Sequence, residues 1–142
     1  MDTGPRSLEL GPGPRGRSGL VVEILQALAA LPEDVLDRAL GDDRAKLAFW
    51  IDIYNAAVLR QPADATASRS GRLRLFRRPS ITVAGCHLSL DAIEHGILRR
   101  SSWKLGLGYL RNPLPSAFER RHRVAHIDPR IHFALNCGAR SC

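Results

Sequence analysis

Residues 46–60, KLAFWIDIYNAAVLR, are apolar around nearly the whole circumference of a helix. A helix with so little solvated face has to be enclosed by the rest of the chain. That requirement constrains the fold more than any other stretch of the 142 residues, a length that supports one compact core. Asp42 or Asp43 supplies the side-chain oxygen that starts this helix. Upstream, Leu20, Ile24, Ala27, Leu28 and Leu31 recur at helical spacing until Pro32 stops the run. Pro32 then suits the first turn of a second, short helix through Leu40, with Glu33 and Asp34 favourable at its N-terminus and Gly41 at its end.

Downstream, residues 61–71 (QPADATASRSG) have loop composition. Arg72 to Phe76 and Ser80 to Ala84 alternate at period two on either side of Arg78-Pro79, which predicts a β-hairpin. Ser89 caps a helix running to Arg100 whose apolar stripe is Leu90, Ile93, Ile97 and Leu98, with Glu94 inside that stripe. Residues 101–129 read as irregular, with one helical turn near Phe118, and Ile131 to Cys137 reads as a short buried strand. Residues 1–18, rich in Gly, Pro and Arg, offer little to bury and are expected to be a disordered tail preceding a domain over 19–142. The expected fold class is α+β: a single domain of N-terminal helices and a central buried helix, packed on a small, mostly antiparallel sheet that includes 131–137.

The charge is +7 with a pI near 10.3. The basic residues, nearly all arginine, are spread from Arg6 to Arg140, and only Arg72, Arg74, Arg77 and Arg78 form a dense patch with few aromatics to stack on bases. Nucleic-acid binding is therefore not the favoured reading. No membrane span is expected, because the best apolar stretch, Leu20 to Leu31, is short and interrupted by Glu23 and Gln26. A cytoplasmic location follows as the expectation; Arg15 and Arg17 ahead of that stretch leave export as the alternative. No phosphate-binding loop, dinucleotide fingerprint or GxSxG elbow occurs, and the five-residue spacings among His132, Cys137 and Cys142 are poor for zinc, so neither cofactor nor metal is expected.

Chemistry-bearing residues gather in three places. Asp52 and Asn55 share a face of the central helix, where they either hydrogen-bond a neighbouring loop or orient a catalytic group. Glu94 needs a partner inside its stripe: a histidine that it orients, or an arginine such as Arg130, while His95 lies to its side near Asp91 and Arg99. The last eleven residues, HFALNCGARSC, hold His132, Asn136, Cys137 and Cys142. In a continuous strand His132 and Asn136 face one way and Cys137 the other. A Cys-His dyad then requires another histidine for Cys137, His95 or His126, or Cys142 returning to the His132 face after a turn at Gly138, whereas a structural Cys137 simply fills the core. Cys86, in an expected turn, receives no role.

Read together, AFWIDIYNAAVL (48–59), LSLDAIEHGILR (88–99) and DPRIHFALNCGARSC (128–142) resemble the domain of unknown function 547 family over residues 43–142. The resemblance implies a domain that continues past Cys142, and an asparagine is usual in the family where this chain has Asp52. It implies no established activity. Two readings stand. One is a cysteine-dependent acyl or amide hydrolase-like site with Cys137 as nucleophile, His95 or His132 as base and Glu94 or Asn136 orienting it, with Asp52, Asn55, Arg130 and Cys142 as supporting positions. The other is a noncatalytic protein-interaction module in which the same polar residues serve the fold.

Overall fold

The computed structural model describes residues 17–62, 68–102 and 114–136. The expected disordered tail therefore lies outside the described residues, apart from its last two positions, which open α1. The fold is mixed, in one small domain, and the described residues form seven helices and a two-stranded antiparallel sheet. In chain order these are α1 (Arg17–Ala30), α2 (Glu33–Ala39), α3 (Asp43–Leu59), α4 (Arg69–Arg77), β1 (Pro79–Val83), β2 (Cys86–Ser89), a π-helix (Ala92–Leu98), α5 (Ala117–His122) and α6 (Ile131–Ala134). No helix among the described residues is long and apolar enough to cross a membrane.

Helix α3 is the central element that the apolar run 46–60 requires. Asp42 caps it by accepting from the Ala45 N–H at 2.8 Å. Trp50, Tyr54, Ala57 and Val58 are buried along it, against Ile81, Val83 and Leu88 of the hairpin and Ile93 and Ile97 of the π-helix. Helix α2 contributes Leu36, and α1 lies along β1 with Ala84 and Gly85 donating their N–H groups to the carbonyls of Leu28 and Ala29.

Two expected elements are different. Residues 72–76 form no strand; they belong to α4, capped by Ser68, whose hydroxyl accepts from the Gly71 N–H at 3.0 Å. In a helix, Leu75 and Phe76 point inward together and Phe76 packs edge-on to Tyr54, a contact that a strand would split between two faces. Pro79 then ends the helix, with Arg78 already extended. The hairpin instead joins β1 to β2 through Ala84 and Gly85, both at positive φ (49° and 73°), the primed turn that suits strand twist.

Likewise Ile131 to Asn136 is not a strand, and the sheet does not extend there. Asp128 starts a helical turn, its carboxylate accepting from the Arg130 N–H and its carbonyl from the Ile131 N–H. Only Ile131 and Leu135 turn inward, while Phe133 is 88% exposed. The four-residue spacing of the two inward positions is helical, and a run this short carries either period.

The helix expected after Ser89 is present, and the Ser89 hydroxyl accepts from the Ala92 N–H at 3.1 Å. Its winding is unusual: the Arg99 N–H reaches back five residues to the Glu94 carbonyl and that of Ser101 to Gly96. Arg100 and Ser101 follow at φ 53° and 59°, two consecutive non-glycine residues in the left-handed region, a strain of about 1–2 kcal/mol each. Gly96 sits where α5 crosses, and a Cβ there would run into the Glu119 carboxylate. Glu119 is meanwhile half of a capping box with Ser116 at the start of α5.

Candidate functional site

Glu94 anchors a polar cluster at the edge of the core. Tyr54, from the buried face of α3, donates its phenol hydrogen to Glu94 Oε2 at 3.1 Å, and Arg99 Nη2 lies 2.9 Å from Oε1. Residues five apart do not meet on an α-helix. The i to i+5 winding of the π-helix brings Glu94 and Arg99 to one side. Burial, reinforced by the Glu94 charge, pushes the Tyr54 phenol above its ordinary pKa, so it stays protonated and donates. Glu94 is thus held by Tyr54 and Arg99. Arg130 instead pairs with Asp128 at 2.6 Å, a fork that lowers the Asp128 carboxyl to about 2.

Arg99 also reaches a small cleft of about 130 Å³, shared with Ser102, Ile127, Asp128, Pro129 and His132. The left-handed pair Arg100 and Ser101 turns the chain so that Ser102, whose N–H bonds the His95 carbonyl at 3.0 Å, joins that wall. The Ser101 hydroxyl donates to the Gly96 carbonyl and accepts from Arg123, which fixes the turn from both sides.

Asn55 holds the end of α6, whose Ile131 and His132 line the same cleft. Its amide donates to the Ala134 carbonyl at 3.0 Å and its Oδ1 accepts from the Asn136 N–H at 2.8 Å, so one side chain clasps the backbone on either side of Leu135. Asn55 follows Tyr54 in α3, and the clasp and the Glu94 cluster therefore share a base. Asp52, paired with Asn55 in the sequence reading as a buried polar group, is exposed. His132 is exposed on α6 beside Phe133, and His95 is half-buried on the π-helix. Because 131–134 is helical, the strand face expected to be shared by His132 and Asn136 does not exist. Cys137 and Cys142 lie outside the described residues. Cys86 is half-buried, and burial raises its thiol pKa, with the Glu33 and Glu119 charges adding to the effect.

Sequence reasoning passed over Tyr54, Ser102 and His122, and set Arg99 beside His95 without pairing it to Glu94. A hydroxyl on an otherwise apolar helix was the available signal for Tyr54. None existed for Arg99, since its pairing depends on the π-winding.

His122 closes α5 against α2 and α3, 1% exposed, with Phe118 and Trp50 around the ring. Glu33 and Asp37 lie 3.6 Å from its two nitrogens, too far for hydrogen bonds. Burial lowers its pKa below the ordinary 6.5, overriding the pull of those carboxylates. A depressed folded-state pKa means that the unfolded chain takes up the proton first. Stability is therefore complete above pH 6.5 and declines as the pH falls below it. His122→Phe is expected to flatten that decline in urea titrations between about pH 7 and 5; an unchanged slope would remove His122 as its source.

Among the described residues, no group of three or more His, Cys, Asp or Glu side chains is placed to hold a metal ion. A sequence model of the family described as protein of unknown function, DUF547, matches residues 39–142. No curated protein and no solved structure matches the chain.

Proposed function

The chain belongs to the DUF547 family, and from that premise we propose that its site is a cysteine-dependent acyl or amide hydrolase-like centre with Cys137 as nucleophile and His132 as base. The observation that carries this reading is the Asn55 clasp. It spends a half-buried amide on holding residues 134–136, the segment leading into Cys137, beside a cleft whose wall already carries a histidine, a hydroxyl and a guanidinium. His132 is preferred to His95 because it is exposed at that wall. Both Glu94 oxygens are engaged, so Glu94 positions Arg99 rather than a histidine. Asn136 remains the orienting candidate for the base.

In the proposed reaction the Cys137 thiol gives its proton to His132 and the sulfur attacks the acyl carbon. Arg99 faces the oxyanion, and the imidazolium returns the proton to the departing alcohol or amine. Water then cleaves the thioester, with His132 taking its proton. A cleft of about 130 Å³ is smaller than a typical ligand pocket and suits the carbonyl end of an extended acyl group. A thiol nucleophile is maintained in a reducing compartment, which agrees with a cytoplasmic location.

Iodoacetamide labelling near neutral pH tests this. Cys137 is expected to react roughly tenfold or more faster than Cys86, whose raised pKa and partial burial make it the slow internal reference. Cys137→Ser removes the fast label and His132→Ala slows it, both without loss of the fold. A Cys137 that labels only on unfolding would leave the noncatalytic reading, in which the Asn55 clasp is purely structural.

A further inference from the structure

The surface formed by α1, the end of α3 and α4 is not used by the site above. Leu20, Val21, Val22 and Ile24 are exposed on α1, Leu59 is 74% exposed at the end of α3, and Leu73 is 42% exposed on α4. The same elements are rich in arginine. Arg69, Arg72, Arg74 and Arg77 lie on α4, Arg78 follows it, and Arg60 ends α3. No Asp or Glu occurs between Asp64 and Asp91, and none of these six guanidiniums forms an ion pair with a described residue.

The apolar and basic parts are neighbours. The C-terminal end of α1 is held at the β1–β2 turn through Leu28 and Ala29, while Val22 and Leu25 line a groove with Arg60 and with Ser80 to Thr82 of β1. The N-terminal half of α1 therefore lies toward the start of β1, which directly follows Arg77 and Arg78. Glu23 is the only acid of α1.

We infer that this face is a peripheral docking surface for a membrane carrying anionic lipid. Charge alone suits any polyanion, but the exposed leucine, valine and isoleucine side chains set among the arginines have no complement on a nucleic-acid backbone. They do have one in the acyl region just below lipid headgroups. Phe76, the one aromatic residue of α4, packs inward on Tyr54 and leaves no stacking platform for bases.

Co-sedimentation of the full chain with phosphatidylcholine vesicles, with and without phosphatidylglycerol, tests the inference. Binding is expected to the anionic vesicles only and to weaken as salt rises toward ~0.15 M. Each arginine at such a surface contributes roughly fivefold in partition, so Arg74→Gln/Arg77→Gln should reduce binding by about 25-fold. Leu20→Ser/Ile24→Ser should remove mainly the part that survives added salt. All four side chains are exposed, and circular dichroism checks that each variant folds. Equal binding to both vesicle types, binding to neither, or tighter binding to a DNA duplex than to the anionic vesicles would overturn the inference.

Discussion

Trp50→Ala is expected to lower stability by about 3–5 kcal/mol and the melting temperature by roughly 10–20 °C. Trp50 is fully buried near the middle of α3, with Phe49 edge-on at a ring separation of 4.9 Å, Phe118 at 6.0 Å and His122 at 6.3 Å. It joins the central helix to α5. Truncation leaves a cavity whose walls belong to separate elements and cannot collapse as a unit. A domain of this size has about 5–15 kcal/mol in total, so much of the population would unfold on modest heating. Trp50→Phe should cost far less, because it keeps most of the apolar volume and removes the indole N–H, which is buried without a hydrogen-bond partner. Thermal melts followed by circular dichroism decide the matter: a Trp50→Ala shift under about 3 °C, near the effect of a single kcal/mol, would show that this residue is not the centre of the core.

The second large effect is expected at Arg99. Its guanidinium is the only cation on Glu94 among the described residues, and the Glu94 side chain is just 16% exposed. Arg99→Met leaves a largely desolvated carboxylate held by the Tyr54 hydroxyl alone. Breaking a fully buried pair costs about 3–5 kcal/mol, and since Arg99 is 30% exposed the loss here should be about 1–3 kcal/mol. Adding Glu94→Gln to Arg99→Met should recover most of it, because an amide can accept from Tyr54 without needing a charge beside it. The double-mutant cycle in urea reads the coupling directly. If Arg99→Met alone is as stable as the parent, the pair does not organise the turn that carries Arg99 and Ser102 to the cleft.

The long elements were legible for reasons that act locally. Helix α3 was readable because seventeen residues leave no doubt about period and its cap is a side chain three positions from the N–H it serves. The short segments were not. Leu73, Leu75 and Phe76 satisfy a strand and a helix equally until Phe76 meets the Tyr54 ring. Ile131 to Leu135 contains only two residues that the fold buries. The Asp128 hydrogen bonds that start its turn depend on the path of a loop with little pattern of its own.

At the site, Asn55 and Glu94 could be singled out because polar groups among apolar ones demand partners wherever they fall. Which partners they find is a matter of distance in space. Asn55 meets Ala134 and Asn136 across about eighty positions, and Tyr54 meets Glu94 across forty. By itself the sequence determined the family, the mixed class, the buried central helix, the Ser89 cap and a cap at Asp42 or Asp43, all of which depend on composition and on neighbours within a turn or two. Only the tertiary structure decided that 69–77 is helical, that the hairpin turns at Ala84-Gly85, and that Glu94 takes Arg99 rather than a histidine or Arg130. That last choice rests on a π-winding whose i to i+5 bonds leave no mark in residue spacing, because hydrogen-bond register there is set by what α3 and α5 pack against it.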